Sequence, residues 1–170
     1  MGWHGVDAWQ AGLAETPGYF EEVVRGQAAP DSFDACYQDQ AWFTIFWLFC
    51  NSEYATENLD FIRAVDQFAS TGDLNVAQEI YDRYVKDDAP TQVNLRSSNR
   101  TTLDELLGPD GEGHGPPDMF DSSREEIQAL VRSDNYARFL RELVEVQTIL
   151  WGETAGADAW WNEDAPRVES

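Results

Sequence analysis

Apolar residues in this chain recur at three- and four-residue spacings in segment after segment, and no stretch sustains the period-two alternation of a half-buried strand. Such a chain is restricted to helices packed on helices, because each helix buries one apolar stripe and needs another element to cover it. Ser32 is placed to cap a helix carrying Phe33, Cys36 and Tyr37, and Phe43, Phe46, Trp47 and Cys50 continue the pattern. After a turn at Asn51 to Glu57, Leu59, Ile62, Val65, Phe68 and Ala69 form one stripe. Val76, Ala77, Ile80, Tyr81, Tyr84 and Val85 form the next, stopped near Pro90. Three pairs have the spacing of a capping box and mark expected helix starts: Asn75 with Gln78, Thr102 with Glu105, and Ser123 with Glu126. The last stripe, Tyr136, Phe139, Leu140, Leu143, Val144 and Leu150, belongs to a helix expected to begin near Ser133 or Asp134. Thr16 followed by Pro17 predicts a further short helix through Val24. The stretch Gly108 to Pro117, with four glycines and three prolines, interrupts regular structure and reads as a solvated loop. Eight or so helices with short connections give an all-α, compact bundle. Residues 16–150 are expected to form one domain, with 1–15 as an N-terminal extension and 151–170 as an acidic tail containing Trp160 and Trp161.

Charge narrows the partners. The 32 acidic residues against 11 basic ones give a net charge of −21, and Lys86 is the only lysine. A surface of that sign repels nucleic acid and anionic lipid, so neither is an expected partner. The apolar run Ala41 to Cys50 is too short to cross a bilayer, whose hydrocarbon core is ~30 Å thick. Met1-Gly2 lacks the Ser or Thr that a myristoylation signal wants where Val6 stands, and no secretory signal precedes the first stripe. Cys36 and Cys50 have no metal-type spacing and read as buried thiols of a cytoplasmic protein. His4 and His114 are far apart, the Asp110–His114 loop fits no calcium site, and no phosphate-cradling glycine loop or hydrolase elbow occurs. No catalytic residue, metal or cofactor is therefore expected.

Five short strings then stand in a fixed order. They are Ser52-Glu-Tyr-Ala-Thr-Glu-Asn-Leu-Asp-Phe61; Ala77-Gln-Glu-Ile-Tyr-Asp-Arg-Tyr84; Val93-Asn94-Leu95 with Ser97 and Arg100; Met119-Phe-Asp121 with Ile127; and Leu130-Val-Arg-Ser-Asp-Asn-Tyr-Ala-Arg-Phe-Leu140. Together with Phe46-x-x-Phe49, this series resembles the regulator of G-protein signalling (RGS) family from about Ser32 to Leu143. The resemblance implies an antiparallel four-helix bundle joined to a subdomain of terminal helices. It also implies a GTPase-activating partner of a heterotrimeric G-protein α subunit (Gα) that performs no chemistry itself and meets Gα at the membrane. Carried over by motif, the Gα-binding residues are Glu57, Asn58, Asn94, Leu130, Asp134 and Arg138. Asn94 has one amide able both to donate and to accept, and Asp134 and Arg138 are spaced i, i+4 for pairing. Taken singly, Asn58 and Asn94 are also ordinary turn or cap residues and Asp134 an ordinary N-cap. The sequence departs from the family pattern at several places, among them Arg96, where an Asp often follows Val-Asn-Leu. The alternative function is a non-catalytic docking module with the same fold.

Overall fold

A computed structural model of the chain describes residues 28–151. The expected Thr16–Val24 helix, the N-terminal extension with His4, and the tail from residue 152 with Trp160 and Trp161 lie outside the described residues. Every regular element among those described is helical, and none is a strand. In chain order they are α1 (Phe33–Gln38), α2 (Gln40–Ser52), α3 (Glu57–Thr71), α4 (Leu74–Ile80), a π-helical turn (Tyr81–Val85), α5 (Ser97–Leu107), α6 (Asp121–Leu130), a second π-helical turn (Val131–Asn135) and α7 (Tyr136–Trp151).

The chain divides into two compact units at Ala55/Thr56 and Val131/Arg132. The first takes α1, α2 and α7 from both ends of the described chain. Ser32 caps α1 as expected, its hydroxyl accepting from the Ala35 amide at 3.2 Å. Asp39 both ends α1 and starts α2, accepting from the Trp42 amide at 3.1 Å, so a single residue turns the chain. The core of this unit is aromatic. Phe46 lies 5.1 Å from both Tyr136 and Phe139, and Phe49 lies 5.4 Å from Phe139, in tilted and edge-on arrangements that favour ring quadrupoles. Cys36 and Cys50 are buried and are not joined in a disulfide.

The second unit holds the four helices α3 to α6. Leu59, Phe61, Ile62, Val65 and Phe68 line the buried face of α3, and Phe68 meets Phe120 edge-on at 5.5 Å. A bidentate ion pair ties α6 to α3, with Arg124 donating to the two Asp66 oxygens at 2.7 and 3.0 Å. Gly72 ends α3 with φ +66°, the left-handed conformation that suits glycine at a helix C-terminus.

The helix starts differ from the expected capping boxes, each for a local reason. Asp73, directly after the left-handed glycine, caps α4 by accepting from the Asn75 amide at 2.8 Å, so Asn75 lies inside the helix. Gln78 instead donates to Asp82 and to the Leu107 carbonyl, both at 3.2 Å. Thr102 sits mid-helix in α5, its hydroxyl bonded back to the Ser98 carbonyl at 3.0 Å. Ser123 is buried within α6, which begins at Asp121. The final helix does not restart at Ser133 or Asp134, because the second π-helical turn carries α6 into α7 without a break. The stretch after α5 is folded back rather than loose: the Gly113 amide donates to the Leu106 carbonyl at 2.9 Å and the Gly111 amide to the Gly108 carbonyl at 2.8 Å. A Cβ on Gly108 would meet the Asp104 carbonyl oxygen at 2.5 Å, which explains glycine at that close approach.

Candidate functional site

In the first unit, Arg138 is the organising charge. Its Nη1 donates to Glu53 Oε2 at 3.0 Å, while Asp134 Oδ1 stands 3.8 Å from Nε, beyond hydrogen-bond distance. Glu53 keeps 19% of its side-chain exposure and Asp134 keeps 71%. The i, i+4 spacing of Asp134 and Arg138 thus gives a long, solvated contact, and the close partner comes from the end of α2. Sequence spacing missed Glu53, although it stands in the Ser52-Glu-Tyr string. Next to it, Tyr54 is 93% exposed at φ +57°. Its amide donates to Asn51 and that of Ala55 to Cys50, closing α2 with a left-handed residue where glycine is usual. For a bulky residue that conformation costs ~1–2 kcal/mol, and it leaves an aromatic ring in solvent.

In the second unit, Glu57 and Asn58 form the first turn of α3 and are half-buried. Thr56, the residue before them, makes no side-chain cap. Leu130, the last residue of α6, is half-buried. Asn94 is exposed between Val93 and Leu95, which are both buried. The Leu95 amide donates to the Val93 carbonyl at 3.1 Å, so Asn94 is the apex of a three-residue turn. The loop is pinned on both sides of that apex. Upstream, the Thr91 amide donates to Arg83 at 3.1 Å and the Val93 amide to Tyr84 at 2.9 Å. Downstream, Arg100 Nη2 reaches the Val93 carbonyl at 3.3 Å, and the Arg96 amide donates to Glu126 Oε2 at 2.7 Å. No side-chain hydrogen bond engages Asn94 among the described residues, which a cap residue would require.

Elsewhere, ionisable groups serve the fold. The Tyr81 hydroxyl donates to Asp104 at 2.6 Å, and burial, then that carboxylate, pushes its pKa up to about 12. Burial likewise pushes the Cys36 thiol up to about 12. Tyr136, whose hydroxyl donates to the Pro30 carbonyl, is raised by burial first. Among the described residues no group of three or more His, Cys, Asp or Glu could hold a metal ion, and no helix is long and apolar enough to cross a membrane.

The described residues form an all-helical module, with an exposed amide at Asn94 in the second unit and an exposed aromatic at Tyr54 in the first. Comparison with known proteins gives its family. The Regulator of G protein signaling domain matches residues 32–144, about two thirds of the chain, and the chain belongs to that family. It is similar to Regulator of G-protein signaling 1 of Rattus norvegicus, 32% identical over 125 residues that cover 71% of this chain and 56% of the relative. Against Regulator of G-protein signaling 16 of Rattus norvegicus the identity is 26% over 144 residues, covering 82% and 68%. Against Regulator of G-protein signaling 6 of Homo sapiens it is 33% over 113 residues, covering 65% and 23%. The chain therefore spans from about a quarter to two thirds of the length of these relatives.

Proposed function

We propose that this chain binds an activated Gα subunit and accelerates its GTP hydrolysis by holding the Gα switch segments in their transition-state arrangement, at the cytoplasmic face of the membrane where Gα resides. The observation that supports this most directly is Asn94, an amide presented at the apex of a loop braced on both sides and engaged by no hydrogen bond of its own among the described residues. One such amide can donate to and accept from two groups of a partner at once. Gα carries its own catalytic arginine and a glutamine that orients the attacking water, so a partner need only restrict the switches. Each tenfold gain in rate asks for only ~1.4 kcal/mol of preferential binding to the transition-state arrangement. A few charge-assisted hydrogen bonds supply that. Asp134, Glu57 and Asn58 provide further acceptors and a donor, Leu130 an apolar contact, and Arg138 a brace shared with Glu53.

The test is single-turnover GTP hydrolysis by a panel of Gα subunits with and without the chain, alongside titration against Gα bound to GDP and to GDP with a planar phosphate mimic. Acceleration of at least one subunit, with tighter binding to the mimic-bound form, is expected. Equal affinity for the two forms and no acceleration would replace this function with a docking role.

A further inference from the structure

We infer that Glu126, on α6, is a positioning residue that holds the Asn94 loop in its binding conformation by completing the cap of α5 from outside that helix. In a capping box, an acidic or amide side chain at the third helical position reaches back to the N-cap backbone amide. In α5 the N-cap is Arg96, which has no acceptor to offer and makes no side-chain cap, and the third helical position is Asn99. Glu126 fills the gap. Its Oε2 accepts from the Arg96 amide at 2.7 Å and its Oε1 from Asn99 Nδ2 at 2.7 Å, while Arg96 Nε stands 3.7 Å away. The carboxylate is 11% exposed, and the Arg96 side chain is 80% exposed. One carboxylate from 30 residues downstream therefore fixes the backbone two residues after Asn94. It also places negative charge at the N-terminus of an eleven-residue helix, where the dipole favours it.

The consequence for the site follows from chain geometry. Val93 is held by Tyr84 and Arg100, and Arg96 by Glu126, so the turn at Asn94 is anchored on each side of its apex. Removing the downstream anchor frees Leu95 and Arg96 to fray with the first turn of α5. The apex amide then loses its direction while the buried face of α5, carried by Leu103 and Leu107, stays in place. Because misplacement of a positioning group by ~1 Å can cost up to about a hundredfold in rate, a fall of about tenfold in acceleration is expected.

This role rests on the proposed Gα function, and the experiment separates the two. In the full chain, Glu126→Ala, Glu126→Gln, Asn94→Ala and the double variant Glu126→Ala with Asn94→Ala are compared on the Gα subunit most accelerated by the unaltered protein. Hydrogen exchange at the Arg96 amide is followed in each variant. The expected pattern is a loss of about tenfold for Glu126→Ala with a folded protein and faster exchange at Arg96. Glu126→Gln, which keeps an acceptor for the Arg96 amide, should recover most of the activity. In the Asn94→Ala background, Glu126→Ala should add little further loss, because it acts through that residue. Asn99→Glu introduced into Glu126→Ala restores a capping carboxylate from the third helical position and should rescue acceleration. If Glu126→Ala accelerates normally, or its effect simply adds to that of Asn94→Ala, the positioning role is wrong while the Gα function stands. If no Gα subunit responds to the unaltered chain, both fall.

Discussion

Deleting the Glu53 carboxylate should destabilise the protein more than deleting the Asp134 carboxylate, although sequence spacing favours Asp134 as the partner of Arg138. The Arg138–Glu53 hydrogen bond is 3.0 Å long between side chains that are 28% and 19% exposed, whereas Asp134 lies at 3.8 Å and is 71% exposed. Exposed ion pairs contribute ~0.2–1 kcal/mol, and breaking a buried one costs ~3–5 kcal/mol. With its partial screening, the Glu53 pair falls between these limits, nearer the exposed end, at about 1.5 kcal/mol. For a chain of this size that lowers the melting temperature by about 3–6 °C. Asp134→Ala should shift stability by no more than about 0.5 kcal/mol. The assay is urea unfolding of Glu53→Ala, Asp134→Ala, Arg138→Ala and the two double variants, checked for two-state behaviour. A double-mutant cycle then isolates each pair from the other contacts of Glu53, with coupling of about 1 kcal/mol expected for Glu53–Arg138 and no more than about 0.5 kcal/mol for Asp134–Arg138. The reverse ordering would refute the assignment of Glu53 as the close partner.

Three further outcomes are expected. Asn94→Ala should change stability by no more than ~0.5 kcal/mol while sharply reducing Gα acceleration, whereas Phe139→Ala, which removes a fully buried ring, should cost ~3–5 kcal/mol and lose activity together with the folded state. Parallel unfolding and GTPase measurements check the contrast, and an unfolded Asn94→Ala protein would make Asn94 a structural residue. The Cys36 thiol is raised from 9.0 to about 12 by burial, so its stabilising contribution is complete below pH 9 and is lost as pH rises from there toward 12. Cys36→Ala should flatten the fall of the melting temperature across that window, and an unchanged slope would show that this thiol does not titrate with unfolding. Finally, a chain of net charge −21 should melt at higher temperature as sodium chloride approaches 1 M, where the Debye length is ~3 Å, and a flat or falling curve would show that self-repulsion costs the fold little.

The helices were legible because burial obeys the period that the sequence displays. The spaced residues Phe33 and Cys36, Leu59, Ile62, Val65 and Phe68, and Tyr136 and Phe139 are all buried in the folded chain. Helix starts were less legible, since a cap is decided by whichever acceptor reaches the amide first. Asp73 precedes Asn75 in that competition only because Gly72 takes a left-handed turn, a fact of backbone geometry rather than spacing. Thr102 and Ser123 have the right composition for caps but lie inside helices that begin earlier.

The same distinction governs the candidate site. Asn94, Asp134 and Arg138 could be singled out because they stand within ordered strings, and a string is a local property. Glu53 and Glu126 could not, because what each does depends on a partner distant in sequence: Arg138 on α7 for Glu53, and the Arg96 amide for Glu126. The Asn94 loop shows why such partners matter. An Asp at position 96 could have capped α5 from within, and Arg96 cannot, because a guanidinium accepts no hydrogen bond. The acceptor has moved to α6, and the arginine remains beside the carboxylate at 3.7 Å. A departure that looks damaging in the string Val93-Asn94-Leu95-Arg96 is thus offset by a residue outside it. In this chain the backbone after Asn94 therefore depends on the acceptor opposite position 96, which sequence spacing alone does not show.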